Sequence, residues 1–392
     1  MKQKTIFLRF CSFFLASILG IFCASLSAYA VNVEAPQTDC KSVILMEVST
    51  GTILYEKNAD EALPPASVTK VMTLILVMEA LEEGKIRLSD MVTASAYACS
   101  MGGSQIYLKE GEQMSVDDML KSVVIASAND AAVALAEHIA GSEETFVQMM
   151  NEKGKELGLT ATNFENTNGL DDTAINHVTS ARDIAIMSRE LLKYPKITDY
   201  SSIWMDTIRE GAFGLTNTNR LVRFYKGATG LKTGSTAKAG FCITATAERD
   251  GMGLICVIMG AETRDIRNAA AVSLLDWGFA NYAVYVNKGR QFNSLRVLGG
   301  VSPNCNVSCP EFRMVLKKNE RERVIVREFL PPTVSAPVRK GTAIGNVSYI
   351  LNGNEIGRSE ICIDETIERI SFGKIVFRLL QGMIFSWKSQ KR

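Results

Sequence analysis

Histidine is almost absent from this 392-residue chain, which contains only His138 and His177. A zinc peptidase usually takes two or three histidine ligands, and a Ser-His-Asp triad needs a histidine beside its serine. His138 falls in a helical pattern and is interpreted as structural, whereas His177 falls in a polar loop before a helix start. The chain therefore has few of the histidines that either class of hydrolase would need. Neither a metal nor another cofactor is expected.

An excess of charge of one sign is also missing. The 43 lysines and arginines nearly balance the 42 aspartates and glutamates, which gives a formal net charge of +1. Without a basic patch, a zinc-finger spacing or a long basic run, nucleic acid is not an expected partner. The composition, 47% hydrophobic and 22% charged, is that of a globular protein with one large domain and a smaller one.

The cysteines do not predict a disulfide framework. There are nine, of which Cys11 and Cys23 fall in the N-terminal segment described next, so an odd number, seven, remains. Cys305 and Cys309 are close enough in sequence to pair or to bind a metal. A chain of this length does not need covalent cross-links, however, so isolated and partly buried thiols are favoured.

The first thirty residues have the pattern of a secretory signal peptide. Lys2, Lys4 and Arg9 precede an apolar run at residues 10–22, and the segment ends in Ala28-Tyr29-Ala30. The alternative is an uncleaved membrane helix. Either interpretation exports the remainder of the chain, and the preferred one assigns residues 1–30 to the signal.

Residues 31–285 are predicted to form an α/β (α+β) domain in which one sheet is packed by a helical cluster. Ser115 with Asp118 resembles a capping box, and Thr179 is the expected cap of the helix that starts at residue 180. Strands are predicted at 42–48, 52–55, 229–234, 239–247 and 254–260, and helices at 67–81, 116–125, 131–139, 143–157, 180–192 and 265–282.

Two further segments follow this domain. Residues 286–365 contain short β-leaning runs separated by proline and glycine, which predict a small β-rich domain. Residues 366–392 place Phe372, Leu379 and Trp387 on one broad helical face and end in basic residues. This pattern favours an amphipathic helix lying on a membrane surface over a helix packed on its own domain.

Three short motifs carry the chemistry: Ser67-Val68-Thr69-Lys70, Ser127-Ala128-Asn129 and Lys232-Thr233-Gly234. Each is weak alone, but their order and predicted setting reinforce one another. Ser67 and Lys70 are three residues apart in the first turn of an apolar helix, so their side chains point the same way. A serine hydroxyl needs a base, and burial together with the second cation of Lys232 lowers the pKa of a lysine toward the neutral, basic form.

The three motifs resemble those of the penicillin-binding proteins and serine β-lactamases, with S-x-x-K, S-x-N or S-D-N, and K-T-G in this order. The chain is more narrowly similar to the low-molecular-mass D-alanyl-D-alanine carboxypeptidases, including their signal, β-rich domain and C-terminal anchor. The resemblance implies a β-lactamase/transpeptidase-like fold. It also implies that Ser67 attacks the carbonyl between two D-alanines, that Lys70 is the general base and that Ser127 relays a proton to the leaving D-alanine.

The resemblance further implies a set of substrate contacts. Asn129 is expected to bind the substrate amide, Lys232 and Thr233 the carboxylate, and the backbone N–H groups of Ser67 and Ser235 the oxyanion. Gly234 completes the K-T-G strand, which lies at the sheet edge in this fold and is available to an extended substrate. Arg267 matches the arginine that such enzymes place at the free C-terminal carboxylate, although a surface arginine is the equal alternative.

The implied function is a penicillin-sensitive serine DD-carboxypeptidase that trims pentapeptide stems of peptidoglycan on the outer face of the cytoplasmic membrane. β-Lactam antibiotics are the expected inhibitors. A class A β-lactamase shares the motifs, but it usually reads S-D-N and needs a deacylating glutamate, for which Glu165 lies in a suitable loop. A DD-endopeptidase uses the same catalytic set, and a catalytically silent wall-binding protein is the alternative from another class.

Overall fold

The strands and helices are numbered along the chain in the computed structural model, which describes residues 34–172, 174–377 and 379–380. The strands are β1 (Ser42–Glu47), β2 (Ile53–Lys57), β3 (Met91–Thr93), β4 (Gln113–Ser115), β5 (Met205–Ile208), β6 (Phe213–Thr216), β7 (Ala228–Thr236), β8 (Gly240–Arg249), β9 (Met252–Ala261), β10 (Tyr282–Asn287), β11 (Arg290–Leu298), β12 (Asn304–Cys309), β13 (Phe312–Lys317), β14 (Ile325–Phe329), β15 (Thr333–Ser335), β16 (Ala343–Leu351) and β17 (Asn354–Ile363). The α-helices are α1 (Lys70–Glu82), α2 (Ala96–Cys99), α3 (Val116–Lys121), α4 (Asn129–Ala140), α5 (Glu143–Glu156), α6 (Ala181–Leu191), α7 (Lys196–Ser201), α8 (Leu221–Phe224) and α9 (Arg264–Asn281).

A five-stranded antiparallel sheet with the order β2-β1-β9-β8-β7 organises the larger part of the protein. Its two halves come from opposite ends of this part of the chain, since Ser42 of β1 lies opposite Met259 of β9. The helices between β2 and β7 form the cluster that the sequence predicted. Strand β7, which contains the K-T-G motif, is an edge strand, as the resemblance implied.

The sheet is covered on both faces, which explains why residues 43–46 of β1 are all apolar. Ile44 and Met46 pack in the core shared with the helical cluster. Val43 and Leu45 point the other way, into the core shared with α9. Successive side chains of a strand alternate between faces, so a strand between two cores is apolar at every position.

The predicted cap of α6 is wrong by one residue. The side chain of Ser180, not of Thr179, accepts the hydrogen bond from the backbone N–H of Asp183. Thr179 is unavailable because its backbone forms a β-bridge with Leu63 and its hydroxyl lies 2.7 Å from the hydroxyl of Thr162. The cap predicted at Ser115 is confirmed, since its side chain accepts from Asp118 N at 3.1 Å.

The β-rich segment near the C-terminus combines the β10–β13 ribbon with a six-stranded sheet of order β14-β16-β17-β12-β11-β15. Strands β13, β14, β16 and β17 correspond to the β-leaning sequence runs at residues 311–316, 323–329, 345–350 and 358–363. Cys305 and Cys309 lie on β12 with buried side chains, on the same face as Val307. Their spacing therefore reflects the two-residue period of a strand, and neither forms a disulfide.

The described part of the tail is helical from Phe372, and its apolar side chains are exposed, with Phe372 81% and Phe377 60% accessible. The amphipathic helix predicted beyond residue 380 and the signal peptide predicted at residues 1–30 lie outside the described residues. Within residues 34–172, 174–377 and 379–380, no helix is both long and apolar enough to cross a membrane.

Candidate active site

The S-x-x-K motif begins in a tight turn that the sequence pattern did not predict. Residues Ala66–Thr69 form a 3₁₀ turn, and the α-helix starts only at Lys70. Ala66 has a φ of 48°, a left-handed conformation that is uncommon for a residue with a side chain. The strained residue lies immediately before Ser67, the predicted nucleophile.

Lys70 lies completely buried beneath this turn. Its Nζ is 2.9 Å from Ser67 Oγ, 2.5 Å from Asn129 Oδ1 and 2.8 Å from the carbonyl oxygen of Asn168. A neutral amine has two hydrogens and one lone pair. Donation to the two carbonyl oxygens leaves the lone pair facing the serine hydroxyl, as a general base requires.

The electrostatics of the site favour that neutral form. Burial places the pKa of Lys70 well below its ordinary value, and the nearby Lys232 lowers it further, while Asp130 opposes the shift. Lys70 is the buried lysine that the apolar helix predicted, since its side chain is 0% exposed and the next turns of the helix are buried.

Ser127 and Asn129 reach the site from a second break in helical geometry. The segment Ser122–Ala126 is a π turn, and Ser127 ends it with a φ of 64°. This turn ends the helix predicted at residues 116–125 and turns the serine toward β7. One amide hydrogen of Asn129 binds the carbonyl oxygen of Gly102 at 2.7 Å, which leaves a second donor on the same nitrogen.

Lys232 connects the K-T-G strand to the S-x-N segment. Its Nζ donates to Ser127 Oγ at 2.8 Å and to the carbonyl oxygen of Thr233 at 3.0 Å. The side chain is 1% exposed. Burial, with a further contribution from Arg267, lowers the pKa of Lys232 to about 7.

The remaining residues of β7 face the nucleophile and the cavity. A Cβ placed on Gly234 would lie 2.7 Å from the backbone nitrogen of Ser67, so glycine is required for this close approach. Thr233 donates its hydroxyl hydrogen to Thr218 Oγ1 at 2.7 Å. Ser235 is exposed at the cavity wall.

Arg267 is a buried residue rather than a surface arginine. It is 3% exposed, and its guanidinium donates to the carbonyl oxygen of Cys242 at 3.3 Å and to Asn268 Oδ1 at 2.9 and 3.1 Å. Burial lowers its pKa to about 10. These contacts hold the guanidinium in place at the wall of the cavity.

The motifs meet at a cavity of about 680 Å³. Among the described residues that line it there are three arginines and no carboxylate, so the cavity suits an anionic ligand. Within the same described ranges, no cluster of side chains could hold a metal ion. The lining residues are Ser67, Ser104, Ser127, Trp204, Thr216, Asn217, Thr218, Arg220, Phe224, Thr233, Gly234, Ser235, Phe241, Arg264 and Arg267.

The loop at residues 160–178 contributes contacts that sequence reasoning missed. Its Asn168 carbonyl binds Lys70, and Gly169 packs against the nucleophile turn, where an added Cβ would lie 1.9 Å from Ala66 O. The only signal in the sequence is the Asn168-Gly169 dipeptide, which is typical of a turn. Glu165, the candidate deacylating base, instead accepts backbone hydrogen bonds from Ile175 and Asn176 at 2.8 and 3.0 Å.

The segment Asn219-Arg220-Leu221, to which the sequence assigned no role, supports β7. The amide of Asn219 donates to the carbonyl oxygen of Gly230 at 2.7 Å and accepts from the backbone nitrogen of Leu221. Arg220 lines the cavity.

Comparisons with known proteins agree with this geometry. The sequence matches the family described as D-alanyl-D-alanine carboxypeptidase over residues 29–263 and the penicillin-binding protein 5 C-terminal domain over residues 283–369. It is 42% identical over 341 residues to the D-alanyl-D-alanine carboxypeptidase DacF of Bacillus subtilis, covering 85% of this chain and 87% of that protein. It is 35% identical over 390 residues to DacC of Escherichia coli, covering 95% of each.

The fold is also similar to a solved one. The crystal structure of penicillin-binding protein 5 from Haemophilus influenzae superposes with a TM-score of 0.76 at 33% identity, covering 86% of this chain and all of that chain. With the family matched over more than half of its length and relatives aligned over most of it, the chain belongs to the D-alanyl-D-alanine carboxypeptidases, a family of penicillin-binding serine peptidases.

Proposed function

We propose that Ser67 is the nucleophile of this enzyme, and that it removes the terminal D-alanine from peptidoglycan stem peptides through an acyl-enzyme. The observation that carries the proposal is the position of Lys70 Nζ, 2.9 Å from Ser67 Oγ and bound to two carbonyl oxygens. Membership of the carboxypeptidase family supports the substrate class.

Acylation begins when neutral Lys70 takes the proton of Ser67. The Oγ attacks the carbonyl carbon between the two D-alanines, and the tetrahedral intermediate places its negative charge on the former carbonyl oxygen. The backbone N–H groups of Ser67 and Ser235 stabilise that charge. The close contact of Gly234 with the Ser67 backbone supports this pairing, because it holds the turn that contains Ser67 against strand β7.

Departure of the leaving group requires a proton on its nitrogen. Lys70 returns the proton through the hydroxyl of Ser127, which is held by Lys232 Nζ at 2.8 Å. The C–N bond then breaks, free D-alanine leaves, and the peptide remains as an ester on Ser67. Attack by water on this ester releases the shortened stem and restores the serine.

The substrate is held by its backbone and by its terminal carboxylate. An extended stem peptide adds to the free edge of β7, with the second amide hydrogen of Asn129 on a peptide carbonyl. The hydroxyl of Thr233 and the guanidinium of Arg267 bind the terminal carboxylate. The absence of any carboxylate among the described lining residues supports this preference for an anionic end.

A β-lactamase is a less suitable assignment. Its deacylation needs a carboxylate that activates water beside the ester, and the carboxylate of Glu165 is occupied by two backbone N–H groups of its own loop. Endopeptidase action on cross-links uses the same catalytic groups. Hydrolysis of a cross-linked stem dimer, compared with release of D-alanine from a pentapeptide, distinguishes the two activities.

We propose that the enzyme lies at the outer face of the cytoplasmic membrane, exported by residues 1–30 and attached by the predicted anchor segment 366–392, whose helix begins at Phe372. The exposed Phe372, Val376 and Leu379 lie on one side of this helix and support an apolar face that binds a membrane surface. In a flotation assay with anionic vesicles, residues 31–392 should float and residues 31–371, which keep the buried Ile367 but lack the helix, should not. Equal partitioning of the two would refute the anchor.

The central test uses residues 31–365 and benzylpenicillin, with intact mass as the readout. The wild type should gain one penicillin in a lasting adduct, and Ser67→Ala should gain none. Ser235→Ala is the matched control, because its backbone N–H survives and the adduct should form. The absence of both adduct and penicillin hydrolysis would favour a silent scaffold, and rapid hydrolysis without an adduct would favour a β-lactamase.

A further inference from the structure

His177 is a buried residue that the proposed mechanism does not use. It lies in the loop at residues 160–178, 6% exposed, with its ring edge-to-face against Phe164 at a centroid distance of 5.8 Å. Its Nε2 is 2.7 Å from the hydroxyl oxygen of Thr69, and its Nδ1 accepts from the backbone nitrogen of Glu165 at 3.0 Å. Thr69 immediately precedes Lys70 and is the last residue of the turn that contains Ser67.

These hydrogen bonds fix the tautomer of the His177 ring and the direction in which its ring hydrogen is donated. Because Nδ1 accepts a backbone N–H, the ring hydrogen is on Nε2 and is donated to Thr69 Oγ1. Thr69 in turn donates its hydroxyl hydrogen to the carbonyl oxygen of Ala66 at 2.8 Å. The series of hydrogen bonds from Glu165 through the His177 ring and Thr69 thus ends on Ala66, the residue with the left-handed φ before Ser67.

The same loop contacts the turn at two more points. Gly169 lies so close to Ala66 O and Thr69 Oγ1 that a Cβ there would be 1.9 and 2.8 Å from them. The carbonyl oxygen of Asn168 accepts from Lys70 Nζ at 2.8 Å. Ser67, Lys70 and their loop partners are therefore aligned only while the loop and the turn stay locked together.

We propose that His177 is a positioning residue for acylation. Through Thr69 it locks the Ser67 turn to the loop at residues 160–178, which keeps both Ser67 Oγ and the Asn168 carbonyl on Lys70 Nζ. The inference rests on the proposed roles of Ser67 and Lys70. In this proposal His177 neither transfers a proton nor binds a metal. Its role is to control the direction in which the lone pair of Lys70 points.

The ring is neutral under working conditions. Burial lowers the pKa of His177 to about 4, and the positive charge of Lys238 lowers it further. The negative charges of Glu165, Asp171 and Glu143 oppose this shift. Above that pH the Nδ1 acceptor is intact. Loss of the lock admits water to Lys70, whose other charged neighbours are Lys232 and Asp130, so the pKa of Lys70 rises toward its ordinary value.

The test measures the second-order rate of acylation by a fluorescent penicillin from pH 5.5 to 10 in residues 31–365. His177→Gln should acylate about a hundredfold more slowly at pH 7, since a displacement near 1 Å costs about that much. The acidic limb of the pH–rate profile of His177→Gln, which reports deprotonation of Lys70, should move to higher pH. His138→Gln, which changes the other histidine of the chain at an exposed position on α4, should match the wild type.

Thr69 variants keep the test decisive if His177→Gln folds poorly. Thr69→Ser retains the hydroxyl and should remain close to the wild type, whereas Thr69→Val keeps the shape, loses the hydroxyl, and should shift the limb as His177→Gln does. The double variant of His177→Gln and Thr69→Val should acylate no more slowly than the slower of the two single variants. The reason is that both substitutions break the same series of hydrogen bonds.

The failure of this inference is distinguishable from failure of the proposed function. A lower rate with an unmoved limb in folded His177→Gln and Thr69→Val would reduce the histidine to a stabilising role and overturn the inference. Normal acylation in both variants would do the same, provided that Ser67→Ala is inactive. Adduct formation by Ser67→Ala would overturn the proposed function itself.

Discussion

Lys232 Nζ lies 2.8 Å from Ser127 Oγ, and this contact joins the K-T-G strand to the S-x-N segment at the point where a proton must pass. The two residues come from the sheet edge and from the end of a π turn. The lysine is buried with few polar partners, so its charge acts strongly on Lys70 as well as on the serine.

Removal of that charge should move the pH dependence of acylation in a defined direction. Lys232 lowers the pKa of Lys70, so Lys232→Gln should raise it, and less of the neutral base is then present at low pH. The acidic limb of the acylation rate should move to higher pH, with a lower plateau from the altered Ser127 contact. Lys226→Gln, an exposed lysine before β7, is the control. An unmoved limb in Lys232→Gln would contradict the assigned electrostatics.

Gly234→Ala should abolish acylation without unfolding the protein. The added Cβ would meet Ser67 N at 2.7 Å and Pro65 O at 2.9 Å, so the turn must move away from β7. Gly214→Ala on β6 is a matched control with no atom within 4 Å of the added group. Adduct mass and thermal melting of both variants decide the matter, and normal acylation by Gly234→Ala would count against the close approach.

Arg267→Gln should discriminate between substrates by their C-terminus. A charge-assisted hydrogen bond contributes about 1.5–3 kcal/mol, so kcat/KM on an acyl-D-Ala-D-Ala peptide with a free carboxylate should fall by about 10- to 100-fold. The corresponding C-terminal amide lacks the charge and should be affected little. An equal loss on both peptides would indicate that Arg267 acts only through the packing of Cys242 and Asn268.

Glu165→Gln should leave the lifetime of the penicilloyl-enzyme unchanged. Its carboxylate orders the loop through the backbone N–H groups of Ile175 and Asn176 and is not aimed at the ester. The lifetime is read from the decay of adduct mass after excess penicillin is removed. A clearly longer lifetime in the variant would identify Glu165 as a deacylating base and revive the β-lactamase assignment.

His177 should make stability depend on pH in a narrow window. Its pKa is about 4 in the folded protein against an ordinary value of 6.5, so between these values the unfolded chain binds more protons. Stability therefore falls as pH drops from 6.5 to 4, by at most about 3 kcal/mol from this group. Urea unfolding at pH 7.5 and 4.5 should show a larger acid loss in the wild type and His138→Gln than in His177→Gln. An equal loss of unfolding free energy between pH 7.5 and 4.5 in all three proteins would disprove the contribution of His177.

The sequence predicted the sheet-plus-helix architecture because its periodic patterns are strong and local. The apolar run of β1 and the largely apolar α1 each identify an element that is buried along most of its length. The spacing of Ser67 and Lys70 likewise predicted their contact, since residues three apart in a helical or 3₁₀ turn lie on one side.

Other features depend on contacts between distant segments and have no local signal. The left-handed φ of Ala66, the π turn before Ser127 and the Asn168 carbonyl on Lys70 exist because the loop, the turn and β7 press on one another. Thr179 was a suitable cap by residue type, yet its bridge to Leu63 took it out of position. Strand β12 escaped prediction because its buried side chains include Cys305 and Cys309 rather than the usual branched residues.

The interleaved sheet sets the moment at which the enzyme can become active. Strand β1 emerges early from the ribosome, but its partner β9 follows only after the whole helical cluster, as the pairing of Ser42 with Met259 shows. Pairings between such distant segments close slowly. A chain still being synthesised therefore carries Ser67 and Lys70 without β7, the strand that faces them, and hydrolytic activity arises only once β7, β8 and β9 have joined the sheet.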